Sequence, residues 1–135
     1  MRKVLASVAL ASLVLAGCGG GGRSQHPGIR TVVLTARLSH YSLGSLRVQR
    51  GTVVAFVIHN RDPIDHELIV GDQGVQDRHE KGTEAKHGTR PGEITVPAES
   101  NATTMYRFEQ PGTVYFGCHL PGHWSYGMHG TISVT

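Results

Sequence analysis

Apolar positions along this chain fall in short runs, many of them β-branched, and not in the three-to-four spacing of amphipathic helices. Residues 31–38 are rich in Val, Leu and Thr. Residues 46–48 form a further short run. Residues 52–59 read Thr-Val-Val-Ala-Phe-Val-Ile-His, the composition of a strand buried on both faces or nearly so. Further strands are expected at 67–70, 103–108, 113–116 and 131–134, with Met105 read as a core residue. Turn-forming residues separate them: Arg50-Gly51, Asn60-Arg61-Asp62-Pro63, Pro97 and Pro111-Gly112. Short strands with such punctuation predict an all-β chain, a Greek-key β-sandwich. One stretch departs from the pattern. Residues 71–92 are polar and read as a long insertion between strands, with a short helix over 76–87 that Gly82 weakens.

The N-terminus has a different character. Arg2 and Lys3 precede an apolar run over 4–16, too short to span a bilayer comfortably, which ends in Leu15-Ala16-Gly17-Cys18. This pattern resembles the lipobox of bacterial lipoproteins, in which the peptide is cut before a cysteine whose sulfur carries a diacylglyceryl group. The resemblance implies a signal peptide at 1–17, a lipidated Cys18 and a tether over 18–28 with four successive glycines at 19–22. The chain would then be exported and lipid-anchored to a bacterial membrane, facing the periplasm or the cell exterior. A single domain of about 105 residues follows, over 29–135, enough for one core.

Charge and cysteine counts change meaning once the signal is set aside. The full chain has 13 Lys and Arg against 10 Asp and Glu, and removing Arg2 and Lys3 leaves 11 against 10. There is no basic block and no case for nucleic-acid binding. Of two cysteines, Cys118 alone would remain free, which excludes a disulfide framework. A lone thiol in an oxidising compartment is a liability unless something occupies it.

What occupies it is indicated by the run Cys118-His119-Leu120-Pro121-Gly122-His123-Trp124-Ser125-Tyr126-Gly127-Met128. Thiolate and imidazole ligands with a weak axial thioether make a blue-copper site. Pro121-Gly122 supplies a tight turn between cysteine and histidine, and Gly127 lets the backbone reverse before Met128. A second imidazole is needed, and His66, at the start of a short strand, is well placed to give it. The predicted ligands of one type 1 copper are His66, Cys118, His123 and Met128.

The same residues resemble the cupredoxins, with Cys-x-x-Pro-Gly-His followed by Met as in azurin, auracyanin and rusticyanin. The resemblance implies a cupredoxin fold over nearly all of 29–135. Three features depart from the pattern. Glu67 follows the first histidine where plastocyanin and azurin carry Asn and rusticyanin Ser, whose uncharged side chain helps lock the two loops near the sulfur. An ionised carboxylate cannot donate in that way. His119 follows the cysteine and is expected on the opposite side of the extended chain, behind the site or at the surface. The polar insertion carries more charge than a simple electron carrier needs.

Two functions follow from these residues, and the first is preferred because a preformed site that fits both oxidation states suits redox cycling more than metal release. The first is a membrane-tethered one-electron carrier in the extracytoplasmic space. A redox partner protein would dock near His123, Trp124 and Tyr126, with Leu120 and Pro121 completing an apolar rim. The second is a copper-handling role in tolerance, storage or delivery, with His79, Glu80, Glu84 and His87 as an auxiliary metal site. On a helix Glu80, Glu84 and His87 would share a face. An enzyme is not expected: a strand delivers Cys118 into a Pro-Gly loop among ligand types, and no His-x-His pair of an oxidase is present.

Overall fold

A computed structural model of the chain describes residues 28–82, 86–88 and 90–135. The signal peptide, Cys18, most of the tether and Glu84 lie outside the described residues. Two sheets face each other. One has the order β2-β1-β4-β7, built from β1 (Ile29–Arg37), β2 (His40–Tyr41), β4 (Val53–Asn60) and β7 (Asn101–Arg107). The other has the order β3-β9-β8-β5-β6, from β3 (Ser45–Val48), β5 (His66–Gly71), β6 (Glu93–Val96), β8 (Gly112–Gly117) and β9 (His129–Val134). β1 runs parallel to β4 and β3 parallel to β9, while the remaining neighbours are antiparallel. This is the expected β-sandwich.

The core between the sheets follows from side-chain alternation. Leu34, Val54, Phe56 and Ile58 meet Leu68, Val70, Phe116 and Ile132 there, with Phe108 and Val96 closing the sides. Two sequence expectations are corrected. β4 is not buried on both faces: its even-numbered residues are buried and its odd-numbered ones half-buried. The doubly buried strand is β5, every residue of which is buried. Met105 is 42% exposed, because Thr104 on the opposite face of β7 is the residue turned inward.

β5 is covered on its outer face by α1 (Gln73–Glu80). The helix starts earlier than the sequence implied because Asp72 caps it, its carboxylate accepting the Val75 N–H at 2.9 Å. It ends at Glu80, with Lys81 as its C-cap just before Gly82 at φ +71°. Gln76 anchors it to the sheet, its amide reaching the carbonyls of Ile69, Gly71 and Tyr115 at 3.3–3.4 Å. β2 and β6 went unread because each is too short to show an alternation of its own.

Candidate metal centre

One end of the sandwich gathers the chemistry. β8 delivers Cys118 immediately past its last residue, and β5 opens on His66. The segment between Cys118 and Met128 is a closed loop of backbone hydrogen bonds. His123 N–H donates to Leu120 C=O at 2.9 Å, Met128 N–H to His123 C=O at 3.0 Å, and Cys118 N–H to Met128 C=O at 3.0 Å. Gly122 at φ +83° and Gly127 at φ +92° make the two reversals, as a left-handed backbone requires. Met128 is therefore brought back beside Cys118, and both are fully buried in a small apolar cluster with Ala36, packed by Tyr41 and Leu120.

The donor atoms converge. Cys118 Sγ lies 3.2 Å from His123 Nδ1, and His123 Nδ1 lies 3.3 Å from His66 Nδ1. Sγ and one nitrogen of each imidazole all lie within 4.8 Å of one another. The sulfur also receives the Glu67 N–H at 3.4 Å and an amide hydrogen bond from Leu120. Burial pushes the Cys118 thiol up to about 11, and the neighbouring Glu67 and Glu80 carboxylates add to this against those two amides. His123 is shifted down, first by burial and then by the nearby His66.

His66 is oriented by a residue that sequence reasoning missed. Its Nε2 donates to Asp62 Oδ2 at 2.8 Å, which leaves Nδ1 turned toward Cys118 and His123. The Asp62 carboxylate also accepts the N–H groups of Leu38 (2.7 Å) and Ser39 (2.9 Å). Those two form the β1–β2 turn, both at positive φ although neither is glycine (53° and 55°). Asn60 in turn holds the segment: its side-chain oxygen accepts Asp62 N–H at 3.0 Å, and its amide group reaches the carbonyls of Ile64, Val96 and Pro97. The only sequence signal was the Asn60–Pro63 turn itself.

Glu67 does not donate from its side chain. Its side chain still locks the two loops, because the carboxylate accepts the His119 N–H where an amide oxygen would do the same. Its carbonyl takes the Tyr41 hydroxyl. His119 points away from the donors, as expected. It stacks on Trp124 with ring centroids 4.8 Å apart and contacts Glu80 Oε2 and Gln76 Oε1, each at 2.8 Å. Trp124 also stacks on His129 (4.5 Å) and lies over Gly117, where a Cβ would meet the indole at 2.4 Å.

The auxiliary set is only partly brought together. His79 and His87 converge, but on Glu93 and not on Glu80, which is turned to His119. His87 lies beyond the helix and is not on a helical face shared with Glu80.

The family model of plastocyanin/azurin copper-binding proteins matches residues 31–135. The chain belongs to this family. The copper-resistant cuproprotein CopI of Rubrivivax gelatinosus is 29% identical over 109 residues, 78% of this chain and 66% of the relative. CopI of Vibrio cholerae serotype O1 is 29% identical over 90 residues, 64% of this chain and 53% of the relative. The chain thus spans less than two thirds of the length of these relatives. Among solved structures, auracyanin B superposes with a TM-score of 0.66 at 22% identity, over 78% of this chain and 88% of that one. Auracyanin A of Chloroflexus aurantiacus gives 0.64 at 18%, over 80% and 100%. These likenesses show the cupredoxin fold.

The donors fit the copper that the family binds. Ligands at about 2.0–2.3 Å from one ion, at tetrahedral to trigonal angles, lie roughly 3.3–3.7 Å apart. The observed 3.2 and 3.3 Å fall within a few tenths of an ångström of that range. A soft sulfur and two imidazoles with a buried thioether alongside match copper better than a hard cation.

Proposed function

We propose that this cupredoxin is an extracytoplasmic type 1 copper protein serving copper tolerance. In this reading His66, Cys118 and His123 hold the metal and Met128 is its weak axial ligand. The convergence of Sγ with two Nδ1 atoms carries the assignment. Kinship with two copper-resistant cuproproteins supports tolerance as the role. A strain lacking the protein should become copper-sensitive, and the wild-type gene should restore growth while Cys118→Ser should not. Unchanged growth on copper in the deletion strain would refute the tolerance role.

A second reading, one-electron transfer, is supported by the loop surface. His123 is half-buried and ringed by exposed Pro121 and Tyr126, the latter 73% exposed, with Leu120 and Trp124 half-buried beside it. Weak electron-transfer contacts are small, and an apolar rim of this kind suits a redox partner protein. Rapid, reversible reduction of a single bound copper would support this reading. An enzyme based on Cys118 is disfavoured: a buried thiol with its pKa pushed up to about 11 is a poor nucleophile until a metal displaces its proton.

Met128→Leu should retain copper at unchanged stoichiometry and raise the reduction potential in voltammetry, because loss of the thioether disfavours the oxidised ion more than the reduced one. Loss of copper from this variant would show that Met128 holds the metal and does not merely tune it. The anchor is tested separately. Cys18→Ala should leave the protein unprocessed or release it from membranes, since stable anchoring needs more than one acyl chain. A mature wild-type chain without lipid on Cys18, by mass spectrometry, would remove the tether from this reading.

A further inference from the structure

On the outer face of the five-stranded sheet, β6 pairs with β5 so that Glu93 lies opposite Ile69 and Thr95 opposite Glu67. The chain before β6 returns across this face. His87 is docked there by two hydrogen bonds, its N–H to Thr95 Oγ1 at 2.8 Å and its carbonyl accepting Thr95 N–H at 2.9 Å. α1 brings His79 over the same spot.

We propose that His79, His87 and Glu93 form a second metal site, for a divalent ion of the zinc or copper(II) class, coupled to the first centre through Glu67. The three ligand atoms lie within 4.8 Å of one another. Glu93 Oε2 is 3.6 Å from His79 Nε2 and 3.7 Å from His87 Nδ1. Those separations are too long for hydrogen bonds. They match the roughly 3.3–3.7 Å expected of donors sharing one ion. The side chains are sheltered, at 7%, 3% and 13% exposure for His79, His87 and Glu93. The tautomer of His79 is set for ligation: Nδ1 donates to the Val75 carbonyl at 2.8 Å, which leaves the Nε2 lone pair facing Glu93.

Access and ion class follow from the surroundings. A cleft of about 380 Å³, lined by Glu67, His79, His87 and His119 among others, opens the cluster to solvent. The Arg90 guanidinium, 3.6 Å from Glu93 Oε2, is 63% exposed and can yield its place to an ion. Two imidazoles and a carboxylate with an open position suit zinc or copper(II); no sulfur is present to favour copper(I). The coupling runs through one residue. Glu67 Oε1 lies 3.6 Å from His87 Nε2, while the Glu67 N–H reaches Cys118 Sγ at 3.4 Å and its carboxylate holds the His119 N–H. A cation at His87 draws on the carboxylate whose backbone touches the thiolate.

The test is a zinc titration of the full mature protein loaded with a single equivalent of copper(II), followed by calorimetry and visible absorption together. One zinc should bind per chain and displace the thiolate band by a reproducible shift. His79→Ala and Glu93→Gln should each weaken that binding by on the order of tenfold at least. Their copper band reports that the neighbouring loop remains folded. No zinc binding to the wild type, or binding that neither variant changes, would overturn the site. Zinc binding that leaves the band unmoved would overturn the coupling alone. The coupling rests on the copper assignment of the first centre, but the site does not. Cys118→Ser/His123→Ala protein should still bind one zinc at His79, His87 and Glu93 even if copper never occupies the first centre.

Discussion

Copper(II)-loaded protein carrying Cys118→Ser will lack the intense visible band of the wild type. That band requires charge transfer from a thiolate sulfur, and Cys118 is the only free cysteine among the described residues. The substitution is nearly isosteric, and the Glu67 and Leu120 amides that serve Sγ can serve a serine oxygen. His66 and His123 remain to hold copper weakly, so a pale, loosely bound ion is expected, not an unfolded chain. A second readout follows from the thiol. Burial pushes its pKa up to about 11, so at neutral pH copper must expel a proton from it. Apparent copper affinity should therefore rise about tenfold per pH unit up to that value in the wild type. The serine variant should lose that slope around neutral pH. An intense band in Cys118→Ser, or a wild-type affinity independent of pH, would refute thiolate ligation.

The site was more legible in the sequence than the framework behind it. Cys118, His123 and Met128 sit in one loop, so spacing and ligand chemistry alone drew them together, and a β-strand start placed His66 nearby. Asp62 and Glu93 gave no such signal. Asp62 stands inside a turn motif, where an aspartate needs no further explanation. Its partners Leu38 and Ser39 are far away in sequence and meet it only once β1 and β4 are paired. Glu93 belongs to a strand of four residues, too short for alternation to be visible. The polar insertion is visible in the sequence, but the helix start is not, because an aspartate before Gln73 fits a loop as well as a cap, and Gly82 is a terminus where the pattern suggests an interruption. Burial is hidden for a related reason. β4 is apolar at nearly every position, yet the polar-looking β5, with His66 and Glu67, is the strand covered on both faces. Its two ionisable residues are buried because each has partners: His66 has Asp62 in the preceding turn and His123 across the site, and Glu67 has His87 and the His119 amide, all but Asp62 distant in sequence.

Asp62 is where the fold and the metal centre depend on the same atoms, and its replacement separates them. Asp62→Ala removes the acceptor of two turn amides and of His66 Nε2 together. The amides belong to a turn with two non-glycine residues at positive φ, a conformation that persists only when its surroundings hold it. Loss of hydrogen bonds to a charged acceptor, with donors left unsatisfied, should cost roughly 2–4 kcal/mol. For a domain of this size that corresponds to a fall in melting temperature of roughly 10–25 °C. Copper affinity should fall by about 10- to 100-fold as His66 loses its orientation. Asp62→Asn should behave differently. The amide oxygen, in the place of Oδ1, still accepts the Leu38 N–H, but the Ser39 N–H, which shares Oδ2 with His66, loses its acceptor, so stability falls by less than in the alanine variant. The amide nitrogen then faces His66 Nε2, which must accept, and the ring proton moves to Nδ1, where it blocks the metal face. Acidity adds a check with a defined sign. Burial alone would raise the Asp62 carboxyl, but the Ser39 and Leu38 amides and His66 outweigh it and hold the pKa below its ordinary value. A lowered folded-state value means that the stabilisation is complete above the unfolded pKa of about 3.9 and is lost as pH falls through the lower folded value. The wild type should therefore lose stability below about pH 4 in a way the Asn variant does not share. Equal copper affinity in wild type and Asp62→Asn would show that His66 is held in register by packing alone.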